Sequence, residues 1–387
     1  MRFVLFTHSL VSCWNHGNAH FLRGVVRELQ ARGHETRVFE PADGWSRQNL
    51  IKEAGEGVIA RFYRQFPELR SETYHWNRFD LERALDGADV VLAHEWNEPW
   101  LVSALSRHRA AGGHYVLLFH DTHHRAVTNP EAMAQFPLDG FDGALVFGEA
   151  LREIYLRRGW VQRVWTWHEA ADTTMFRPLP DTPRTGELIW IGNWGDDERT
   201  AELDEFLLTP VRRLKKKLGL RATIHGVRYP RTARATIEEA GARYAGWLPN
   251  DAVPRAFAEH RVTVHVPRRP YAAALPGIPT IRVFEALACG IPLVSAPWSD
   301  SEGLFREGRD FLIAKNGTRM TALLADVLQD PAMASELAAS GLETVRRRHT
   351  CGHRVDELLA ICASCRSDGR SAGTPTEAQA LAQGAAP

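Results

Sequence analysis

Cysteine is scarce, five in 387 residues, so no disulfide framework can hold this chain together and a reducing compartment suits it. Net charge is absent as well: Lys+Arg and Asp+Glu are both 47. A balanced chain exerts no whole-molecule pull on nucleic acid or anionic lipid. The one strongly basic run, Arg212-Arg-Leu-Lys-Lys-Lys217, reads as a solvated helix face. No apolar run approaches the ~20 residues of a membrane span. Met1-Arg-Phe-Val-Leu-Phe6 is too short for a signal peptide and reads as a first strand. These absences predict a cytoplasmic protein with no transmembrane segment, at most peripheral membrane contact and no nucleic-acid partner. No internal repeat of fixed period is present, and no strong Asp-x-Asp motif follows a strand.

What is present is ordinary globular chemistry, 44% hydrophobic and 24% charged. The length suits two domains of about 150–200 residues each. Short β-branched runs alternate with helical patterns, which predicts parallel sheets covered on both faces. In the first half the strands are residues 3–6, 35–39, 89–93, 115–119 and 143–147, and a helix spans 19–32. Residues 172–184 carry Pro178, Pro180 and Pro183, have no helical period, and read as a linker. A second alternating series follows at 188–191, 222–225, 243–245, 262–266 and 292–295. The fold class is therefore α/β, with two Rossmann-like domains facing each other across a cleft. The boundaries predicted are 1–175 and 187–340 for the domains, 176–186 for the linker, 341–366 for a helix crossing back, and 367–387 for a disordered tail. In such folds ligands sit outside the carboxyl ends of the strands.

The segment Pro276-Gly-Ile-Pro-Thr-Ile-Arg-Val-Phe-Glu-Ala-Leu-Ala-Cys-Gly-Ile-Pro292 carries the most chemistry. Pro276, Gly277 and Pro279 shape a loop, Thr280 can cap a helix, and Gly290 ends it. The helix start and Arg282 suit a phosphate. Glu285, one turn on, can accept hydrogen bonds from ribose hydroxyls, or it can pair with Arg282 on an exposed face.

This segment resembles the donor motif of the large retaining glycosyltransferase family that includes sucrose, trehalose and bacterial mannosyl transferases. Ala245-Gly-Trp-Leu-Pro249, Val262-Thr-Val-His-Val-Pro267, Phe284-Glu-Ala-Leu-Ala-Cys-Gly-Ile-Pro-Leu-Val294 and Glu307-Gly-Arg-Asp-Phe-Leu312 follow that family's order. The CgeB-type branch, named for a spore maturation protein, is resembled more closely. Its pattern is met by Ser12-Cys-Trp-Asn-His-Gly-Asn-Ala-His20, Arg32-Gly-His-Glu35 and Thr280-Ile-Arg-Val-Phe-Glu285. The resemblance covers roughly residues 1–365. It implies the glycosyltransferase B fold with the acceptor side on domain 1–175 and the donor side on domain 187–340, a nucleoside diphosphate sugar as donor, an acceptor hydroxyl on a glycan, lipid, protein or small molecule, and no metal or other cofactor. The broad family carries a Glu eight positions before the ribose-binding one. Here Gly277 stands there, which leaves the sugar-side contact and the retaining outcome open. The CgeB-type pattern shares this departure.

Further candidates follow from the same frame. Donor contacts are expected at Gly277, Ile278, Thr280, Arg282 and Glu285, at Gly192, Asn193 and Arg199 beside the first strand of the second domain, and at Trp247 and Leu248 near the nucleobase. Asn15, His16 and Gly17, in the loop after the first strand, and His94, after a later one, face the cleft from the other side. The resemblance places a sugar-contacting His at the end of a first-domain strand, so His120 and Asp121 are the expected catalytic residues. A zinc reading of Cys351, Cys362 and Cys365, or of His94, His120, His123 and His124, ranks below this one. So do a nucleotide-sugar epimerase and a non-catalytic nucleotide-sugar binder.

Overall fold

The computed structural model describes residues 1–372 other than His16. Two all-parallel sheets form it. The first runs β1 (Arg2–Phe6), β2 (Glu35–Pro41), β3 (Glu72–Tyr74), β4 (Val90–His94), β5 (Val116–Asp121), β6 (Gly143–Val146) and β7 (Val164–Thr166), in spatial order β3-β2-β1-β4-β5-β6-β7. The second runs β8 (Leu188–Ile191), β9 (Ala222–His225), β10 (Arg243–Tyr244), β11 (Val262–His265), β12 (Leu293–Ser295) and β13 (Leu312–Ile313), in order β10-β9-β8-β11-β12-β13. Both sheets reverse winding beside their first strand, between β1 and β4 and between β8 and β11. The crevice that such a reversal opens is where open α/β sheets bind ligands.

The strand sequences explain this arrangement. β4 and β5 are buried along their whole length, as strands covered on both faces must be. In β1, Phe3 and Leu5 enter the core on one face while Val4 and Phe6 enter the core on the other. Three strands have no counterpart in the sequence reading: β3, β7 and β13. Each has only two or three residues, too few to show a period.

The chain crosses between domains twice, and the crossings touch. Ala171 N–H donates to His349 O at 3.0 Å and Cys351 N–H donates to Ala171 O at 3.1 Å. The boundary expected at residue 341 falls inside the Pro331–Arg348 helix; the return to the first domain begins at Thr350. The helix Cys351–Ala372 then buries Val355, Leu358, Cys362 and Cys365 in the first-domain core. Trp167 Nε1 donates to Arg354 O at 2.8 Å and fixes its angle. Residues 367–372, expected to open a disordered tail, belong to this helix; 373–387 lie outside the described residues. Among the described residues, no helix is long and apolar enough to cross a membrane.

Candidate functional site

The two switch points face each other across a cleft of about 1490 Å³. Three contacts set how closely the domains approach. Gly17, at the start of the Asn18–Ala31 helix, lies so near Ile281 that an added Cβ would sit 2.9 Å from its Cγ2. Asn193 donates to Asn15, whose φ of 52° is one that Asn tolerates well. His20 Nδ1 meets Glu285 Oε1 at 2.5 Å.

Glu285 is 0% exposed and is held from both sides, by His20 and by Arg282. Burial raises a carboxyl, yet the charges of Arg282 and His20 outweigh it and hold Glu285 below the ordinary range. Burial likewise opposes the His20 charge, and Glu285 with Cys13 outweighs that and raises it. Cys13 completes the row. Burial lifts its thiol, but Arg23 and His20 bring it down to about 7. Cys13, His20 and Arg282 line the cleft, whereas Glu285 lies behind them. Glu285, expected at the ribose, has its two oxygens engaged by two cations in this arrangement.

The Ile281–Ala288 helix has no side-chain cap. Thr280 is corrected as its cap: the hydroxyl lies 3.3 Å from His265 Nε2 instead. Glu169 takes the space before this helix, with the Ile281 amide and Asn18 as its neighbours. Burial and the nearby Glu285 charge push the Glu169 carboxyl up to about 8, so it is largely protonated at neutral pH. Asn18 is buried and neither atom of its amide has a partner. Glu169 and Asn18 both line the cleft. Glu169 escaped the sequence reading because it follows β7, a strand too short to recognise.

Four arginines line the cleft: Arg199, Arg228, Arg268 and Arg282, all from the second domain. Arg199 donates to Val266 O at 3.0 Å and to Asn193 O at 2.5 Å, which fixes its direction. Burial and the neighbouring Arg268 lower it to about 10. Arg268 donates to Glu198 at 3.0 Å, and His124 from the first domain approaches the same carboxylate at 3.6 Å. Gly192, Asn193, Thr280, Trp247 and Leu248 also line the cleft, as do Asn15 and Gly17. Trp247 additionally packs against the first-domain cluster of Trp14 and Leu50. His16 lies outside the described residues.

Several expected residues stand elsewhere. Gly277 and Ile278 are absent from the cleft lining. Gly277 has φ 85°, and a Cβ there would lie 2.6 Å from Glu302 Oε1. Glu302 fills that place and ties the domains together, accepting from Glu149 N–H at 2.8 Å and meeting His168 Nε2 at 2.9 Å. Ile278 is core, packed on Gly148. The expected catalytic pair, His120 and Asp121, is likewise absent from the cleft lining. His120 is buried against Trp167, with ring centroids 4.9 Å apart, and burial drives it down to about 3. Asp121 is also buried, accepting from Tyr155 Oη at 2.6 Å and from His123 N–H at 2.9 Å. His94 lies beneath the surface and meets Thr122 Oγ1 at 3.2 Å. The residues of this strand edge that reach the cleft are Thr122, His123 and His124. The side chains that line the cleft begin two residues after His120.

Residues 17–174 match the model of glycosyltransferase family 4, and residues 199–360 match that of a glycosyl transferase-like family. No curated protein matches the chain. Among solved structures, sucrose-phosphate synthase from Thermosynechococcus elongatus is similar at 14% identity and a TM-score of 0.65, over 95% of this chain and 100% of that one. Anabaena HepE in complex with UDP is similar at 12% identity and a TM-score of 0.65, over 94% and 100%. An alpha-glucosyltransferase in complex with UDP is similar at 10% identity and a TM-score of 0.67, over 94% and 100%. The chain has the two-domain glycosyltransferase B fold, and each of its halves carries the sequence signature of a glycosyltransferase family.

Proposed function

We propose that this chain is a glycosyltransferase that moves a hexosyl group from a UDP-sugar to an acceptor hydroxyl, without a metal, and that it stands nearest the CgeB-type branch. The observation that carries this reading is the arginine wall. Arg199, Arg228, Arg268 and Arg282 line the cleft where the second sheet reverses, opposite a polar loop of the first domain, with Asp196, Glu198 and Glu285 paired to the last three. Two similar folds, HepE and the alpha-glucosyltransferase, hold UDP, which supports uridine as the base.

The chemistry follows from charge. As the glycosidic bond breaks, negative charge grows on the departing diphosphate and positive charge on the sugar ring. Arg282 and Arg268, held in place by Glu285 and Glu198, answer the first. Glu285 acts through Arg282 and His20 as a positioning residue. Glu169, kept neutral by burial, can donate a hydrogen bond to the sugar or the leaving oxygen, and the unpartnered Asn18 amide faces the same space. Glu169 is thus the carboxyl of the cleft offered here for the sugar side, from the first domain and not from the Gly277 position. Retention of configuration is the outcome in the broad family, Gly277 leaves it open for this chain, and the anomeric signal of the product decides it.

A nucleotide-sugar epimerase needs room for one ligand. The cleft volume of about 1490 Å³ exceeds the roughly 300–1,000 Å³ of single-ligand pockets, which favours donor plus acceptor. The test is calorimetry with UDP, GDP and ADP, followed by incubation with UDP-glucose in EDTA. Saturable UDP binding and release of UDP in EDTA support the proposal. No response to any nucleotide would sink it, and donor epimerisation without UDP release would reassign it.

A further inference from the structure

The wall of the cleft opposite the arginines is built of tryptophan. Trp45 is 47% exposed, Trp76 70%, Trp96 39% and Trp100 36%. These are the most exposed tryptophans among the described residues, and every one lines the cleft. They come from neighbouring strand ends: Trp76 after β3, Trp45 after β2, Trp96 and Trp100 after β4. With strands ~4.8 Å apart, β3 to β4 spans about 14 Å, longer than one sugar ring.

Three of the four rings are braced from within. Trp45 stands edge-on to Trp14 at 5.0 Å, and Trp100 edge-on to Tyr74 at 6.3 Å. The Arg125 guanidinium lies 4.2 Å from the centre of the Trp96 ring and is itself tied to Glu95 at 2.6 Å. Rings fixed in this way bind without losing rotamer freedom. Exposing four large aromatics at one place has a cost in water that scattered surface residues do not carry.

The residues between the rings define the ligand. Asp43 and Glu98 stand among them, while all the cleft-lining arginines are on the other domain. No Leu, Ile, Val or Met joins the tryptophans, Tyr74, Pro41, Asp43 and Glu98 in this wall. Two carboxylates repel a phosphate-bearing chain, which excludes nucleic acid and anionic polymers. An acyl chain would be met by aliphatic side chains. A neutral pyranose chain fits both conditions: its C–H faces lie on indole rings and its hydroxyls donate to carboxylates.

We propose that this wall is the acceptor subsite and that the acceptor is an uncharged oligosaccharide of more than one ring. The inference rests on the transferase reading above. The experiment is calorimetry of the full chain against a panel of neutral oligosaccharides (maltohexaose, cellohexaose and chitohexaose among them), a heparin hexasaccharide, and phosphatidylglycerol vesicles, each with and without UDP. Saturable binding of a neutral oligosaccharide is expected. Trp76→Ala should weaken it roughly three- to tenfold, and Trp76→Phe should restore part of the loss, with UDP affinity within twofold in both. Binding by no neutral oligosaccharide, or only by heparin or vesicles, overturns the inference. So does binding that Trp76→Ala and Trp45→Ala leave unchanged. UDP binding without oligosaccharide binding defeats this inference alone; failure of UDP itself defeats the transferase reading.

Discussion

The two walls of the cleft solve opposite problems with opposite residues. The second-domain wall holds charge: four arginines, two of them directed by buried partners. The first-domain wall holds flat apolar surface edged with carboxylates. Electrostatic stabilisation of a leaving diphosphate needs cations fixed in advance, whereas a neutral acceptor needs shape and weak contacts. The asymmetry is what the proposed division of donor and acceptor between the domains rests on. It also explains why the group linking the walls, Cys13–His20–Glu285–Arg282, crosses from one to the other.

The sharpest way to break this comparison is Arg282→Ala. It removes a cleft cation and leaves the buried Glu285 with His20 alone. We expect kcat/KM with UDP-glucose to fall by about 10²–10³, with a smaller loss in the acceptor KM. An unchanged kcat/KM would detach the arginine wall from catalysis.

Next comes Glu285→Gln, which should destabilise the chain by about 3 kcal/mol in urea, since both cations lose their counter-charge in a buried place. Its pH dependence has a definite sign. Glu285 is lowered from 4.5, so its contribution is present above that pH and is lost as pH falls through its folded value. His20 is raised from 6.5, so its contribution is full below that pH and is lost as pH rises through its folded value. The stability difference between wild type and His20→Ala should therefore peak between pH 4.5 and 6.5 and shrink above. A difference independent of pH would deny the ion pair.

Glu169→Gln should act in the other direction. A carboxyl raised from 4.5 to about 8 costs stability increasingly as pH rises through that window, because only the unfolded chain releases its proton freely. The amide should stabilise the protein at pH 8 by roughly 1–3 kcal/mol and have little effect at pH 4.5, while kcat falls. Thermal unfolding at both pH values reads the first effect and a rate assay the second. The smallest effect is expected at Arg228, whose ion pair with Asp196 is exposed. Arg228→Ala should change stability by less than about 0.5 kcal/mol and weaken UDP roughly twofold.

The parts of the protein readable in the sequence are those with a local period. β1, the Asn18–Ala31 helix and β8 follow the predicted runs to within a residue or two, because side-chain alternation and the helical repeat are written in neighbouring positions. The Ile281–Ala288 helix was legible from Thr280 and Gly290. What the sequence could not display was direction. His120 and His123 lie in one polar run, yet the first points into the core and the second into the cleft. The four tryptophans are spread over residues 45–100 and have no motif; they meet because β3, β2 and β4 end at one edge.

By itself the sequence determined the fold class, the two-domain plan and the location of the Ile281–Ala288 helix, since each depends on patterns within about twenty residues. The tertiary structure alone decided the partners. His20 and Glu285 are separated by 265 positions, and no spacing rule connects them. Their contact depends on two sheets that close on one another, and burial then sets their charge. For the same reason Glu285, expected to face a ribose, stands behind Arg282, and Glu169, hidden beside an unrecognised strand, stands in the cleft.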